Sequence, residues 1–347
     1  MAPSTSRQWS LKTRPKGVPT MTGEDATFAM ETTSLPQLTE GQVLVKTLYL
    51  SNDPAQRGWI DEHKNPDRFY ITPLAVLAPM QSNGLGEVIE STAESLPVGT
   101  MVQAYLGWRE YVVLDAKDCI PRNATSGTSP TSFLGALGGN GLTAYYGLKI
   151  VGEVKPGQRV VVSGAAGATG SMAVQIAKHI LGAGQVIGIA GSDEKCRWVE
   201  GLGADQCLNY KQAGFYEELI KATDGYVDVF FDNVAGEIMD FMLTRLKRHG
   251  VVVACGGVAG YNSKEAPHLT NYMDIIHMRL SLRGFMVMDY YHKLQGVTEI
   301  LLAAVKAGKI RIDTNEDIVK APFEDIPKVW LRLFDGGNTG KLLTQLV

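Results

Sequence analysis

The stretch Val160-Val161-Val162-Ser163-Gly164-Ala165-Ala166-Gly167-Ala168-Thr169-Gly170-Ser171 limits what this chain can fold into more than any other. A short β-branched run predicts a buried strand, a tight glycine turn follows, and residues 172–178 have the apolar content of a helix packed on a sheet. Glycines at 167 and 170 would let the backbone approach a pyrophosphate and let the helix lie close to the strand. The helix N-terminus would then offer N–H groups and a partial positive charge to the phosphates. Ala165 stands where a G-x-G-x-x-G turn has its first glycine, so this turn alone also fits an ordinary strand–turn–helix corner.

The surrounding rhythm supplies the context. From about residue 138 strands and helices alternate: strand 185–190, helix 193–201, strand 206–210, helix 215–222, strand 227–232, helix 237–247, then strands 250–255 and 280–287. That pattern predicts an α/β fold with a doubly wound parallel sheet and its ligand at the carboxyl ends of the strands. The first 130 or so residues instead read as all-β. Runs 42–50, 86–90 and 110–114, with Pro- and Gly-bearing turns between them, suggest a small barrel. Asn123 to Pro130 reads as a surface connection between the two parts. The tail carries a helix over 294–307, a strand near 318–319 and a helix over 326–334, and is expected to fold back on the first domain. The expected division is therefore a barrel domain of residues 1–137 completed by 290–347, and a dinucleotide-binding domain of residues 138–289.

A length of 347 residues suits about two domains with full cores. The charge balance, 33 Lys and Arg against 36 Asp and Glu for a net −3, argues against nucleic acid or an anionic membrane as partner. The first residues lack a signal-peptide core and no run has the length of a membrane span, so a cytoplasmic protein is expected. Cys119, Cys196, Cys207 and Cys255 are dispersed, which fits reduced thiols rather than disulfides or a zinc knuckle.

A site for NADH usually ends its second strand in an acidic residue that holds the ribose hydroxyl. Here that strand ends in Ala190-Gly191-Ser192, followed by Asp193-Glu194-Lys195-Cys196-Arg197. Ser192, Lys195 and Arg197 could supply the donors and charge that a 2′-phosphate needs, and the two acids suit the first turn of a helix. NADPH is the cofactor expected on this ground. The alternative is that Lys195 and Arg197 are simply solvated helix residues.

With these residues in view the chain resembles the medium-chain dehydrogenase/reductases, and within them the zinc-independent prostaglandin reductases (leukotriene B4 12-hydroxydehydrogenases) and alkenal double-bond reductases. The resemblance runs from about residue 40 to the C-terminus. It rests on Leu50-Ser51-Asn52-Asp53-Pro54 with Arg57-Gly58, Gly141-Leu142-Thr143-Ala144-Tyr145, the glycine turn, Gly191-Ser192-Asp193-Glu194-Lys195, Phe231-Asp232-Asn233-Val234 and Gly337-Asn338-Thr339-Gly340-Lys341. It implies a Rossmann domain beside a GroES-like barrel domain. It also implies that Gly167, Ala168, Thr169 and Gly170 hold the pyrophosphate, and that Lys195 and Tyr210 bind the 2′-phosphate. Asn233, the stretch Cys255-Gly256 to Tyr261, Phe285-Met286-Val287 and Asn338 would line the rest of the cofactor, with Thr143 near its nicotinamide end. A homodimer joined through an edge strand is implied as well. Two departures touch the substrate side. Ala55-Gln56 replaces the family's Tyr-Met, and Gly139-Asn140-Gly141 replaces its Met-Pro-Gly.

Zinc-dependent relatives hold their metal with cysteine and histidine. The loop from Ser51 to Arg57 has no cysteine, residues 77–86 have no histidine, and the six histidines share no ligand spacing, so no metal is expected. Without a Lewis acid, a simple ketone accepts hydride poorly, whereas a conjugated enone spreads the added charge as an enolate. The expected activity is NADPH-dependent reduction of the C=C bond of α,β-unsaturated ketones or aldehydes. Tyr261 is the candidate oxyanion stabiliser or proton relay, the alternative being that its ring only packs on the cofactor. Arg57 is the second candidate, with a structural pairing to Asp53 favoured over contact with a carbonyl. Tyr49, Tyr70, Trp108, Tyr290 and Tyr291 are candidates for an apolar pocket, and Met286 and Met288 for one strand with a pocket face. A quinone oxidoreductase and an NADPH-binding protein without turnover are the competing readings.

Overall fold

The computed structural model describes residues 2–61, 65–122, 128–263 and 268–347. The chain divides into two compact units, one of Met1–Leu134, Asp317–Asn338 and Leu342–Val347, the other of Gly135–Glu316 and Thr339–Lys341. His63 and residues 123–127 of the expected connection lie outside the described residues.

The first unit opens with an antiparallel ribbon, β1 (Thr5–Leu11) on β2 (Phe28–Ser34). No periodic signal announces it, because most of β2 is exposed and carries no apolar alternation. The centre is β3 (Gln42–Ser51), whose inward Val43 and Val45 are wholly buried while Lys46 faces out. It pairs antiparallel with β4 (Asn83–Ser91) on one side, and β4 pairs with β5 (Met101–Tyr105), which pairs with the short β7 (Ile120–Pro121). Residues 42–46 of β3 also pair with β6 (Tyr111–Asp115). A single turn, α1 (Gln56–Trp59), follows β3.

In the second unit, α2 (Gly139–Tyr146) leads into β8 (Arg159–Val162), α3 (Ala168–Gln175), β9 (Gln185–Ala190), α4 (Asp193–Gly201), β10 (Gln206–Asn209), α5 (Phe215–Ala222) and β11 (Val227–Asp232). Next come α6 (Gly236–Leu243), β12 (Leu246–Ala254), α7 (Tyr272–Met278), β13 (Ser281–Gly284) and α8 (Leu294–Lys306). Among the described residues the sheet is six-stranded, parallel throughout, in the order β10-β9-β8-β11-β12-β13. Strand order reverses between β8 and β11, which is where such sheets bind dinucleotides. Val160, Val161 and Val162 of β8 and Phe230 and Phe231 of β11 are fully buried, as expected of strands covered on both faces.

The chain then returns to the first unit with β14 (Glu316–Ala321), α9 (Ile326–Leu331) and β15 (Lys341–Leu346), and β15 pairs with β3. Trp330 of α9 meets Trp108 edge-on at 5.8 Å, and Trp108 meets Phe28 at 5.0 Å, forming the aromatic centre of that core.

Three boundaries differ from expectation. The helix expected over 237–247 stops at Leu243, where the Thr244 hydroxyl donates to the Phe241 carbonyl, and Leu246 already belongs to β12. The strand expected over 280–287 stops at Gly284, so Met286 and Met288 do not share a strand. Residues 290–316, expected with the first domain, belong to the second unit. There the Thr298 hydroxyl of α8 donates to the Leu137 carbonyl at 3.0 Å, and Gly141 gives α2 room against Leu301. Among the described residues no helix is long and apolar enough to cross a membrane.

Candidate functional site

The carboxyl edge of β8 turns through Gly164, whose φ of 57° suits glycine, into the N-terminus of α3. A Cβ at Gly170 would stand 2.2 Å from the Gly164 carbonyl oxygen, so the helix can lie this close only on glycine. Gly167 caps α3 and, having no side chain, makes no cap bond to its first N–H groups. That leaves an electropositive cradle of backbone donors at the strand reversal, which fits a pyrophosphate. The turn is braced from two sides. The Asn140 amide of α2 donates to the Thr169 hydroxyl at 3.0 Å, and the Gly340 N–H donates to the Ala166 carbonyl at 2.8 Å. Asn140 is one of the departures from the family pattern, and its amide now ties α2 to the first turn of α3.

At the end of β9, the Tyr210 ring lies 3.1 Å from where a Cβ of Gly191 would be, so the absent side chain makes room for it. Ser192 caps α4 by accepting the Lys195 N–H at 3.2 Å. Asp193 is held by the Asn209 amide at 2.7 Å and by Gln212, and these bonds lower its pKa. The acids of the first turn thus serve the helix and the β10 loop. Ser192, Lys195 and Tyr210 gather at one strand end, as a 2′-phosphate site requires.

An open cavity of about 550 Å³ lies at the carboxyl ends of β12 and β13, lined by Ala254 to Gly257, Gly284 to Met286 and Asp289. It unites Cys255, Gly256, Phe285 and Met286, which the family resemblance assigns to one ligand. Val287 begins the short helical stretch that follows. Burial and the nearby Asp232 push the Cys255 thiol up to about 12, which keeps it protonated near neutral pH. Tyr261 ends the turn Val258–Gly260 of the same loop and is half-buried. Burial raises its phenol above the ordinary value, against a backbone hydrogen bond from Gly257, and so keeps the proton in place.

Asn233 donates its side-chain amide to the Ser163 carbonyl at 2.7 Å. The Thr143 hydroxyl donates to Gly139 within its own helix at 2.6 Å. Asn338 falls in the first unit. Arg57, in that same unit, is buried and donates to the carbonyls of Pro15 at 3.1 Å and Gly17 at 3.0 Å, with Asp61 at 3.9 Å. Desolvation lowers its pKa and Asp61 opposes that shift. These bonds give the guanidinium a structural task.

The aromatic candidates scatter. Trp108 is in the core, Tyr49 packs beside Leu85 and Leu343, and Tyr290 stacks on Tyr146 at 4.3 Å. Trp59 and Tyr105, which sequence reasoning missed, line a first-unit cavity of about 220 Å³ with Ile71, Thr72, Leu74 and Gln81. The Trp59 indole donates to the Tyr70 hydroxyl at 2.7 Å.

Residues 7–121 match a family described as the N-terminal domain of oxidoreductase, and residues 168–303 match one described as zinc-binding dehydrogenase. Among the described residues no group of three or more His, Cys, Asp or Glu side chains could hold a metal ion, so the donor set does not fit the zinc of that description. The chain is 37% identical to a putative NADP-dependent oxidoreductase, YfmJ, of Bacillus subtilis, covering 99% of this chain and 98% of that one. It is 34% identical to prostaglandin reductase 1 of Mus musculus, over 98% and 99% of the two chains. The structure of CurA from Vibrio vulnificus in complex with NADPH superposes with a TM-score of 0.88 at 32% identity, covering 98% of this chain and 99% of the other.

Proposed function

Because the chain belongs to the zinc-independent medium-chain dehydrogenase/reductases, in the branch of the prostaglandin reductases, we propose that it reduces the C=C bond of α,β-unsaturated ketones and aldehydes with NADPH. The observation that carries this reading is the placement of Tyr261: residues 254–257 line the 550 Å³ cavity at the carboxyl ends of β12 and β13, and the same loop runs through the turn Val258–Gly260 to the half-buried Tyr261.

NADPH supplies the hydride when bound. Gly167 to Gly170 and the open N-terminus of α3 hold its pyrophosphate, and Ser192, Lys195 and Tyr210 take the 2′-phosphate. Cys255, Gly256, Phe285 and Met286, with Asn233 and Thr143, complete its surroundings. The acceptor must delocalise the incoming charge over its own conjugated system, since this donor set gives no Lewis acid to a carbonyl. Tyr261 donates a hydrogen bond to the developing enolate oxygen and serves as the proton relay. Arg57 keeps the N-terminal segment folded and stays clear of the chemistry.

The reading includes a cytosolic homodimer. β13 is an outer strand with Leu282 exposed, and α7 exposes Tyr272, Met273 and Ile276, a surface that a second copy would cover by two-fold strand pairing. Light scattering on the purified protein gives twice the chain mass if so and the single mass if not.

The test is NADPH oxidation against a panel of enones, enals and quinones. Turnover with β-aryl enones and alkenals is expected. Turnover confined to quinones points to a quinone oxidoreductase, and tight NADPH binding without any turnover points to a non-catalytic binding protein.

A further inference from the structure

Resting on the proposed reductase activity, we infer that Ser163 and Asp232 form a positioning latch that holds the turn after β11 in a strained shape and thereby sets the loop carrying Tyr261. The pair spans the strand reversal. The Ser163 hydroxyl, one residue beyond β8, donates to Asp232 Oδ1 at 2.6 Å at the end of β11, and both residues are buried.

Neither residue contributes to the cradle or the cavity lining, yet nearly every bond around them points at the adjoining loops. The Asp232 carboxylate accepts the N–H of Val234 at 3.0 Å and the N–H of Ala235 at 3.1 and 3.0 Å. Ser163 Oγ accepts the Asn233 N–H at 2.9 Å. The Asp232 carbonyl accepts the N–H groups of Cys255 and Gly256 at 2.9 and 3.1 Å.

Ala235 has φ 62° and ψ −155°, a region that belongs to glycine. Such a backbone persists only where its surroundings over-determine it, and here both carboxylate oxygens seize the Ala235 N–H. The strained turn then sets the next loop. The Asn233 carbonyl accepts from Val258 at 3.3 Å and the Val234 carbonyl from Ala259 at 3.1 Å, and the turn so hung ends at Tyr261. A Cβ at Gly257 would lie 3.7 Å from the Ala235 methyl, so the two turns are in van der Waals contact. Burial alone would favour an uncharged side chain at 232; a carboxylate there makes sense as the acceptor of these converging donors.

The chain of contacts runs from Asp232 through residues 233–235 and 258–260 to Tyr261, so Asp232 acts through others and is a positioning residue. Asp232→Asn, Ser163→Ala and Ala235→Gly test it. Asp232→Asn should lower kcat for a β-aryl enone by about tenfold or more, since small misplacements of a reacting group carry costs of that order, while the NADPH Kd moves less than about threefold. Ala235→Gly is the discriminating variant, because glycine relieves the strain. Its melting temperature should hold or rise while kcat falls, whereas a merely structural turn would let stability and turnover move together. Ser163→Ala keeps the test open if Asp232→Asn fails to fold.

A second readout does not depend on turnover. The ultraviolet phenolate titration of each protein minus that of its Tyr261→Phe counterpart isolates one ring. Its midpoint should fall in all three variants as water gains access to the loosened loop. Unchanged midpoints with unchanged kcat would overturn the latch. A wild type with no enone turnover but shifted midpoints in the variants would instead sink the reductase reading and leave the latch standing.

Discussion

The two halves of the parallel sheet make their strand-to-helix turns by opposite means. After β8 the chain uses glycine, at Gly164 with φ 57° and at Gly170, where the Gly164 carbonyl leaves no room for a Cβ. After β11 it uses Ala235 with φ 62°, held in place by a buried carboxylate. The glycine turn opens backbone donors toward a ligand. The alanine turn has its donors consumed by Asp232 and passes rigidity to a neighbouring loop. On the proposed reading this is a division of labour: the β8–β9–β10 half would hold the pyrophosphate and the 2′-phosphate, and the β11–β12–β13 half would line the rest of the cofactor and set Tyr261.

That division can be broken by substitution, and the effects should fall in order. Gly170→Ala should be the most damaging, because the obstacle is backbone and cannot rotate away. A loss of about 1–3 kcal/mol of stability is expected, with NADPH binding by calorimetry lost over the measurable range. Lys195→Ala should weaken NADPH by roughly 1.5–3 kcal/mol, the worth of a charge-assisted contact, and leave NADH nearly untouched. Equal losses for both cofactors would remove the phosphate role.

Tyr261→Phe should cut kcat by at least about tenfold, some 1.4 kcal/mol, with the NADPH Kd unchanged. In the wild type the sign of the pH effect follows from burial. The phenol titrates above its ordinary value of about 10, so turnover should hold across the neutral range and its alkaline limb should lie above that value. A limb at lower pH that survives Tyr261→Phe would assign the proton to another group. Ser192→Ala should have the smallest effect, about 0.5–1 kcal/mol from the lost helix cap. A drop in NADPH affinity as large as that of Lys195→Ala would make Ser192 a phosphate ligand rather than a cap. If any β8–β10 change altered kcat alone, the two halves would not divide the work in this way.

Much of the proposed cofactor site is legible in the sequence, because its signals are local. Glycine spacing, a β-branched run and a small strand end followed by Ser192 and Lys195 each carry their meaning within a few residues. The strands and helices of the parallel sheet were visible for the same reason, since each is a periodic run. The latch was not legible. Ser163 and Asp232 are about seventy positions apart, and nothing in an Asp-Asn-Val-Ala string announces a glycine-like backbone at alanine. Nor does the sequence announce that the Asn140 amide braces the glycine turn or that the Thr143 hydroxyl bonds within its own helix. The β1–β2 ribbon is hidden because both strands are mostly polar and β2 is largely exposed, and α8 falls in the second unit rather than the expected first because an amphipathic helix does not say which partner its apolar face meets.

The most direct test of the central claim is the identity of the product formed from one β-aryl enone with NADPH. The account predicts the saturated ketone, with hydride from NADPH on the β-carbon and a solvent proton on the α-carbon. An allylic alcohol, with the C=C bond intact and the carbonyl reduced, would contradict it.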